Sequence, residues 1–129
     1  MSRRLFLGRF AALIGFSVVA PLAEPSETRQ VELQRSPLAG FQYHQGDEVW
    51  PFLIVGTLLD LVREPDNAYD IRAVRVDWRG QKLGYVPRTD NAAISHLLDS
   101  GQLVTAEITA LQLSEDPWDR IEFAVFLRC

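Results

Sequence analysis

Residues able to do chemistry crowd into one short stretch, Glu64-Pro65-Asp66-Asn67-Ala68-Tyr69-Asp70. Beyond Pro65 it gathers two carboxylates, an amide and a phenol. Pro65 removes a backbone donor and holds Glu64 extended, while Asp66 and Asn67 favour turns in which a side chain bonds the backbone. An apolar run precedes the stretch and an alternating one follows it, so it reads as a loop held between two strands. A rigid scaffold commonly presents a binding surface in this way. The same residues also suit a structural latch, with Asp70 receiving backbone N–H groups and Tyr69 packed on the wall of the domain. Both readings stand at this point. A third, capture of a hard cation by Asp66 and Asp70, has the oxygen chemistry but not the spacing of a helix–loop–helix calcium loop.

Catalysis finds little support. The chain has no glycine-rich phosphate loop with its lysine, no serine nucleophile motif and no paired histidines at ligand spacing. His44 and His96 are the two imidazoles. His96 falls on the surface of a predicted helix, and His44 adjoins a turn from which it could reach the loop or simply face solvent. Cys129 is the single cysteine, which rules out an internal disulfide or a cysteine-based zinc site. No nucleophile, base and orienter assemble, so the expectation is a binding protein without cofactor or metal.

The elements that must position the loop follow from periodicity. Leu58 to Glu64 and Ile71 to Trp78 read as strands, the second placing Val74, Val76 and Trp78 on one face. Arg79-Gly80 supplies a hairpin turn and Lys82 to Val86 pairs back, ended by Pro87. Thr89 or Asp90 would cap a helix over about 90–100, where Ile94, Leu97 and Leu98 share a face and Gly101 ends it. Leu103 to Leu113 and Ile121 to Leu127 make two further strands around the turn Ser114 to Asp119. Before the loop, Val31 to Tyr43 has strand character with Gly40 as a bulge or close approach. A short helical turn over about 47–53 is limited by Pro51. Short strands, frequent turns and one clear helix point to a mainly β fold, a small closed or nearly closed barrel.

The first residues are of another kind. Ser2-Arg3-Arg4-Leu5-Phe6-Leu7 looks like a twin-arginine export signature, and an apolar run from Phe10 to Ala20 follows. That run is too short for a spanning helix, which needs about 20 apolar residues. The organisation expected is a leader over 1–23, a linker over 24–33 and a barrel over 34–129. An exported, periplasmic protein follows, or a membrane-tethered one where the leader is retained; an N-terminal core helix is the alternative. Without Arg3, Arg4 and Arg9 the 13 Lys and Arg fall to 10 against 17 Asp and Glu, a net charge of −7. A protein that grips long duplex through many phosphates needs the opposite balance.

The wording of three blocks is also familiar: Ala39-Gly40-Phe41-Gln42-Tyr43, then Glu64-Pro65-Asp66-Asn67-x-Tyr69-Asp70-x-x-Ala73-Val74-x-Val76, then Leu83-Gly84-Tyr85-Val86-Pro87-Arg88. Their order and spacing, from about Ser36 to Ile108, resemble the HIRAN domain. The resemblance implies a six-stranded barrel similar to an OB fold, with two short helices. It also implies capture of the free 3′ end of single-stranded DNA. On that basis Tyr43 and Tyr69 would stack bases, Asp70 would accept from the terminal 3′-hydroxyl and Arg88 would contact phosphate. Asn67 and Gln42 would support them, with His44 and Tyr85 beside them. Where the family often has Pro after the Asn, this chain has Ala68. The alternative is an exported β-barrel that binds a protein or peptide, a periplasmic partner, and has lost DNA recognition.

Overall fold

The computed structural model describes residues 29–41 and 46–129. The predicted leader, the first half of the linker (24–28), and Gln42, Tyr43 and His44 lie outside the described residues. Six strands are present: β1 (Gln30–Pro37), β2 (Leu58–Arg63), β3 (Val74–Trp78), β4 (Gln81–Tyr85), β5 (Val104–Leu111) and β6 (Ile121–Arg128). They form one antiparallel sheet in the order β1-β6-β5-β2-β3-β4. Ala39, just past β1, pairs with Tyr85 at the end of β4 through N–H···O bonds of 3.0 and 2.9 Å. The segment just past β1 is thus linked to the end of β4 by an isolated bridge, in a mainly β fold of six antiparallel strands.

Alternation in the strands becomes the core. Val74 and Val76 of β3, Leu83 of β4, Ile108 of β5 and Phe123 and Val125 of β6 are all buried, joined by Leu38, Phe41, Val86 and Ile94. Two helices close the structure, α1 (Gly46–Val49), continued by a 3-10 turn to Phe52, and α2 (Ala92–Asp99). The hairpin turn is the expected Arg79-Gly80, both at positive φ (49° and 78°), a geometry that suits the twist of paired strands.

Three boundaries differ from expectation, each for a local reason. β1 begins at Gln30, inside the span read as linker, and stops at Pro37; Gly40, at φ 76°, turns the chain there. β3 begins at Val74, because Ala73 N–H is drawn to the Asp70 carbonyl (3.1 Å) and the preceding residues remain in the loop. Helix α2 starts after Asn91, not after Thr89 or Asp90. Those residues belong to a 3-10 turn set up by Pro87, whose carbonyl accepts Asp90 N–H at 2.8 Å. Gly101 ends α2 as expected, at φ 80°, with its N–H on the Leu98 carbonyl.

Candidate functional site

The loop between β2 and β3 is built by its own side chains. Asn67 Oδ1 accepts the N–H groups of Tyr69 (2.8 Å) and Asp70 (3.1 Å), and Asp70 Oδ1 accepts that of Arg72 (2.9 Å). These are side-chain-to-backbone turns of the kind Asn and Asp make readily. The loop ends are pinned by Glu64 N–H to the Ala73 carbonyl (3.0 Å). The guanidinium of Arg63 donates to the carbonyls of Ile71 (2.7 Å) and Ala73 (3.1 Å).

Beneath it Glu64 ties the loop to the β3–β4 hairpin. Its Oε1 accepts from Tyr85 Oη (2.7 Å) and Asn67 Nδ2 (3.0 Å), and its Oε2 from Arg75 Nη1 (3.1 Å). Arg75 in turn donates to both oxygens of the buried Asp77, at 2.8 and 3.0 Å. Burial pushes the Glu64 carboxyl up, but the bonds from Tyr85, Asn67 and Arg75 and the Lys82 charge outweigh it and hold its pKa below the usual value.

Above this floor lies an open cavity of about 610 Å³, lined among others by Asn67, Tyr69, Asp70, Lys82, Tyr85 and Arg88. Tyr69 stands free at its rim, 87% exposed. The Lys82 ammonium lies 4.7 Å from the centre of the Tyr85 ring. Asp70 is held on both oxygens: Oδ1 by Arg72 N–H, Oδ2 by Asn91 Nδ2 at 2.7 Å. Arg88 Nε stands 3.9 Å from Oδ2 on a side chain that is 77% exposed. Burial raises the Asp70 pKa, whereas the bonds from Arg72 N–H and Asn91 and the charges of Arg88 and Arg72 lower it further, so Asp70 is a carboxylate at neutral pH. Each oxygen retains acceptor capacity beyond the one bond it receives.

The structure thus brings Asn67, Tyr69, Asp70, Tyr85 and Arg88 to one cavity; Gln42, Tyr43 and His44 are not among the described residues. The latch reading meets a mixed outcome. Asp70 receives one backbone N–H, not a full set, and Tyr69 does not pack on the wall. Glu64, Lys82 and Asn91 were missed as site residues. Glu64 stood in the singled-out stretch, but its contact with Tyr85 spans 21 positions, as does that of Asn91 with Asp70. Among the described residues no group of three or more His, Cys, Asp or Glu side chains could hold a metal ion, and no helix is long and apolar enough to cross a membrane.

A crystal structure of a protein from Lactobacillus plantarum, a structural genomics target, is 30% identical, with a TM-score of 0.66 over 78% of this chain and 97% of that one. The crystal structure of the HIRAN domain of human HLTF is 16% identical, with a TM-score of 0.57 over 77% and 78% of the two chains, a likeness of fold. No curated protein sequence matches. The family pattern described as the HIRAN domain matches residues 31–129, and the protein belongs to that family.

Proposed function

We propose that the protein is a non-enzymatic module that holds the 3′ end of single-stranded DNA in the cavity between Tyr69 and Tyr85. One juxtaposition carries the reading: the ionised carboxylate of Asp70, the guanidinium of Arg88 and the exposed ring of Tyr69 line the same open cavity. An aromatic platform stabilises a stacked base by about 1–3 kcal/mol with little sequence preference. A carboxylate accepts a charge-assisted bond from a terminal 3′-hydroxyl and repels a 3′-phosphate, which selects a free end. Arg88 and Lys82 are placed to meet phosphate, and Tyr43, with Gln42 and His44, is proposed as the second ring and its support.

Fluorescence titration with short oligonucleotides ending in a 3′-hydroxyl or a 3′-phosphate tests this. Tighter binding of the hydroxyl end is expected; equal affinity for both, or none for either, refutes it. The second reading, an exported barrel that binds a protein or peptide, draws on the exposed apolar side chains of Phe52, Ile54, Val55 and Leu58. Affinity capture from a periplasmic extract that recovered no stoichiometric partner would remove it. Export itself is proposed from the Arg3-Arg4 leader, and fractionation of a tagged chain with intact-mass measurement decides it.

A further inference from the structure

The side chain of Asn91 does something unusual for its position. It is the N-cap of α2, where Asn normally accepts an N–H of the first helical turn and stabilises the helix by about 1 kcal/mol. Here it makes no cap bond. It is buried, 1% exposed, and its Nδ2 donates instead to Asp70 Oδ2 at 2.7 Å. Its backbone continues the helical turn (φ −98°, ψ −5°), not the extended geometry of a capping Asn, and the side chain is left to hold a carboxylate.

The consequence lies in what Asn91 keeps apart. Arg88 and Asp70 carry opposite charges, and Arg88 is exposed enough to move. Yet Arg88 Nε stays 3.9 Å from Oδ2, beyond hydrogen-bond reach, while the Asn91 amide occupies that oxygen at 2.7 Å. Oδ2 can accept a second bond, so the amide acts as a competing donor that fixes the orientation of the carboxylate; without it Oδ2 would turn to the guanidinium unopposed. The two would close into an ordinary ion pair, withdrawing the carboxylate from a hydroxyl and the cation from a phosphate at once. The other charges facing Asp70 are Arg72 on its own loop and Lys82 across the cavity, and Asp90 flanks Asn91 in sequence.

We propose that Asn91 is a positioning residue, a neutral spacer that keeps Asp70 and Arg88 as separate recognition groups and so sets the selectivity for a 3′-hydroxyl end. This rests on the proposed reading of the cavity as a 3′-end site. A purely structural role makes a different prediction, because Ser caps helices as well as Asn but cannot reach Asp70.

The test measures binding of a 5′-labelled hexathymidylate ending in a 3′-hydroxyl or a 2′,3′-dideoxy nucleotide, for wild type, Asn91→Ser, Arg88→Gln and the double variant, with thermal melting alongside. In wild type the hydroxyl end is expected to bind about tenfold tighter, the size of one good charge-assisted bond. Asn91→Ser should fold, yet its preference should fall below about threefold. Arg88→Gln should weaken binding about fivefold in wild type and less than about twofold beside Asn91→Ser, since the guanidinium is already withdrawn there. A folded Asn91→Ser chain with full preference, or additive effects in the cycle, overturns the proposal. Should Asn91→Ser not fold, the nearly isosteric Asn91→Asp replaces it. Its ionised carboxyl has no donor for Asp70, whereas its protonated form donates as the amide does, so the preference should be lost near about pH 8 and recover toward about pH 5, where wild type stays flat. A flat profile in that variant also overturns it. A wild-type chain that binds both ends equally fails one step earlier, at the reading of the cavity, and removes the proposal with it.

Discussion

Replacing Glu64 by Gln should destabilise the domain by about 2 kcal/mol at neutral pH and loosen the site. The magnitude comes from three bonds. Tyr85 Oη, Asn67 Nδ2 and Arg75 Nη1 all donate to this carboxylate, which is 23% exposed. Gln keeps one acceptor oxygen and presents an amide N–H₂ where the other stood, so at least one donor faces a donor. Hydrogen bonds to a charged group contribute about 1.5–3 kcal/mol each, and partial exposure and the surviving acceptor reduce the sum to about 2. For a domain of this size that is a fall in Tm of about 8–16 °C. The folded-state pKa of Glu64 is depressed, so its ionised form is what stabilises. The contribution is fully present above the unfolded value of about 4.3 and is lost as pH falls through the depressed folded value. Urea unfolding of both chains at pH 7 and pH 3 reads the effect. A difference below about 0.5 kcal/mol at pH 7, or one that does not shrink in acid, refutes the assignment of Glu64 as the tie between loop and hairpin.

Three further outcomes follow from single side chains. Tyr69→Ala should leave urea stability within about 0.5 kcal/mol, since the ring is exposed, while oligonucleotide affinity in a fluorescence titration falls by about 1–3 kcal/mol. Asp70→Asn should abolish the preference for a 3′-hydroxyl over a dideoxy end. Because the Asp70 pKa is lowered, the wild-type preference should stay level down to about pH 5 and fade only in stronger acid. Gly84→Ala should destabilise by more than about 2 kcal/mol in urea unfolding, because the added methyl would collide with the Ala39 carbonyl at the bridge that joins the outer strands and sit 3.2 Å from Leu38 Cγ.

What was legible in the chain is what is local. Alternation located β3 and β6, Arg79-Gly80 located the hairpin turn between β3 and β4, and Ile94, Leu97 and Leu98 located α2. The loop was legible as a turn because Asn67 and Asp70 bond the backbone two or three residues away. Its partners were not. The donors that fix Glu64 and Asp70 arrive from Tyr85 and Asn91, each 21 positions distant, and no spacing rule reaches that far. Gly84 illustrates the same limit. Its need for a bare Cα follows from Ala39 crossing beside it, which only the assembled sheet reveals; Gly40, read as a bulge or close approach, has a positive φ of 76°. The start of α2 was displaced by competition between two local signals. Pro87 nucleated a 3-10 turn that absorbed the expected caps Thr89 and Asp90.

The acidity of the chain and a nucleic-acid site are compatible because charge is distributed unevenly. Three arginines outside the cavity lining are matched: Arg35 with Glu32 and Glu122, Arg63 with Asp99, Arg75 with Glu64 and Asp77. At the cavity the pairing is looser. Among the described residues, Lys82 and Arg72 make no ion pair with a carboxylate, and the exposed Arg88 meets Asp70 only at 3.9 Å. Lys82, Arg88 and Arg72 thus gather around the fixed anion Asp70, with Glu64 tied up beside it, on a molecule whose net charge would repel a long polyanion. A duplex track needs many phosphate contacts and would meet that repulsion along its length. A strand terminus needs one or two phosphates, a base to stack and a hydroxyl to donate, and it offers these over a distance comparable to the screening length. The arrangement therefore discriminates by where the strand stops, and an acidic surround sharpens that choice by disfavouring everything longer that has no end to offer.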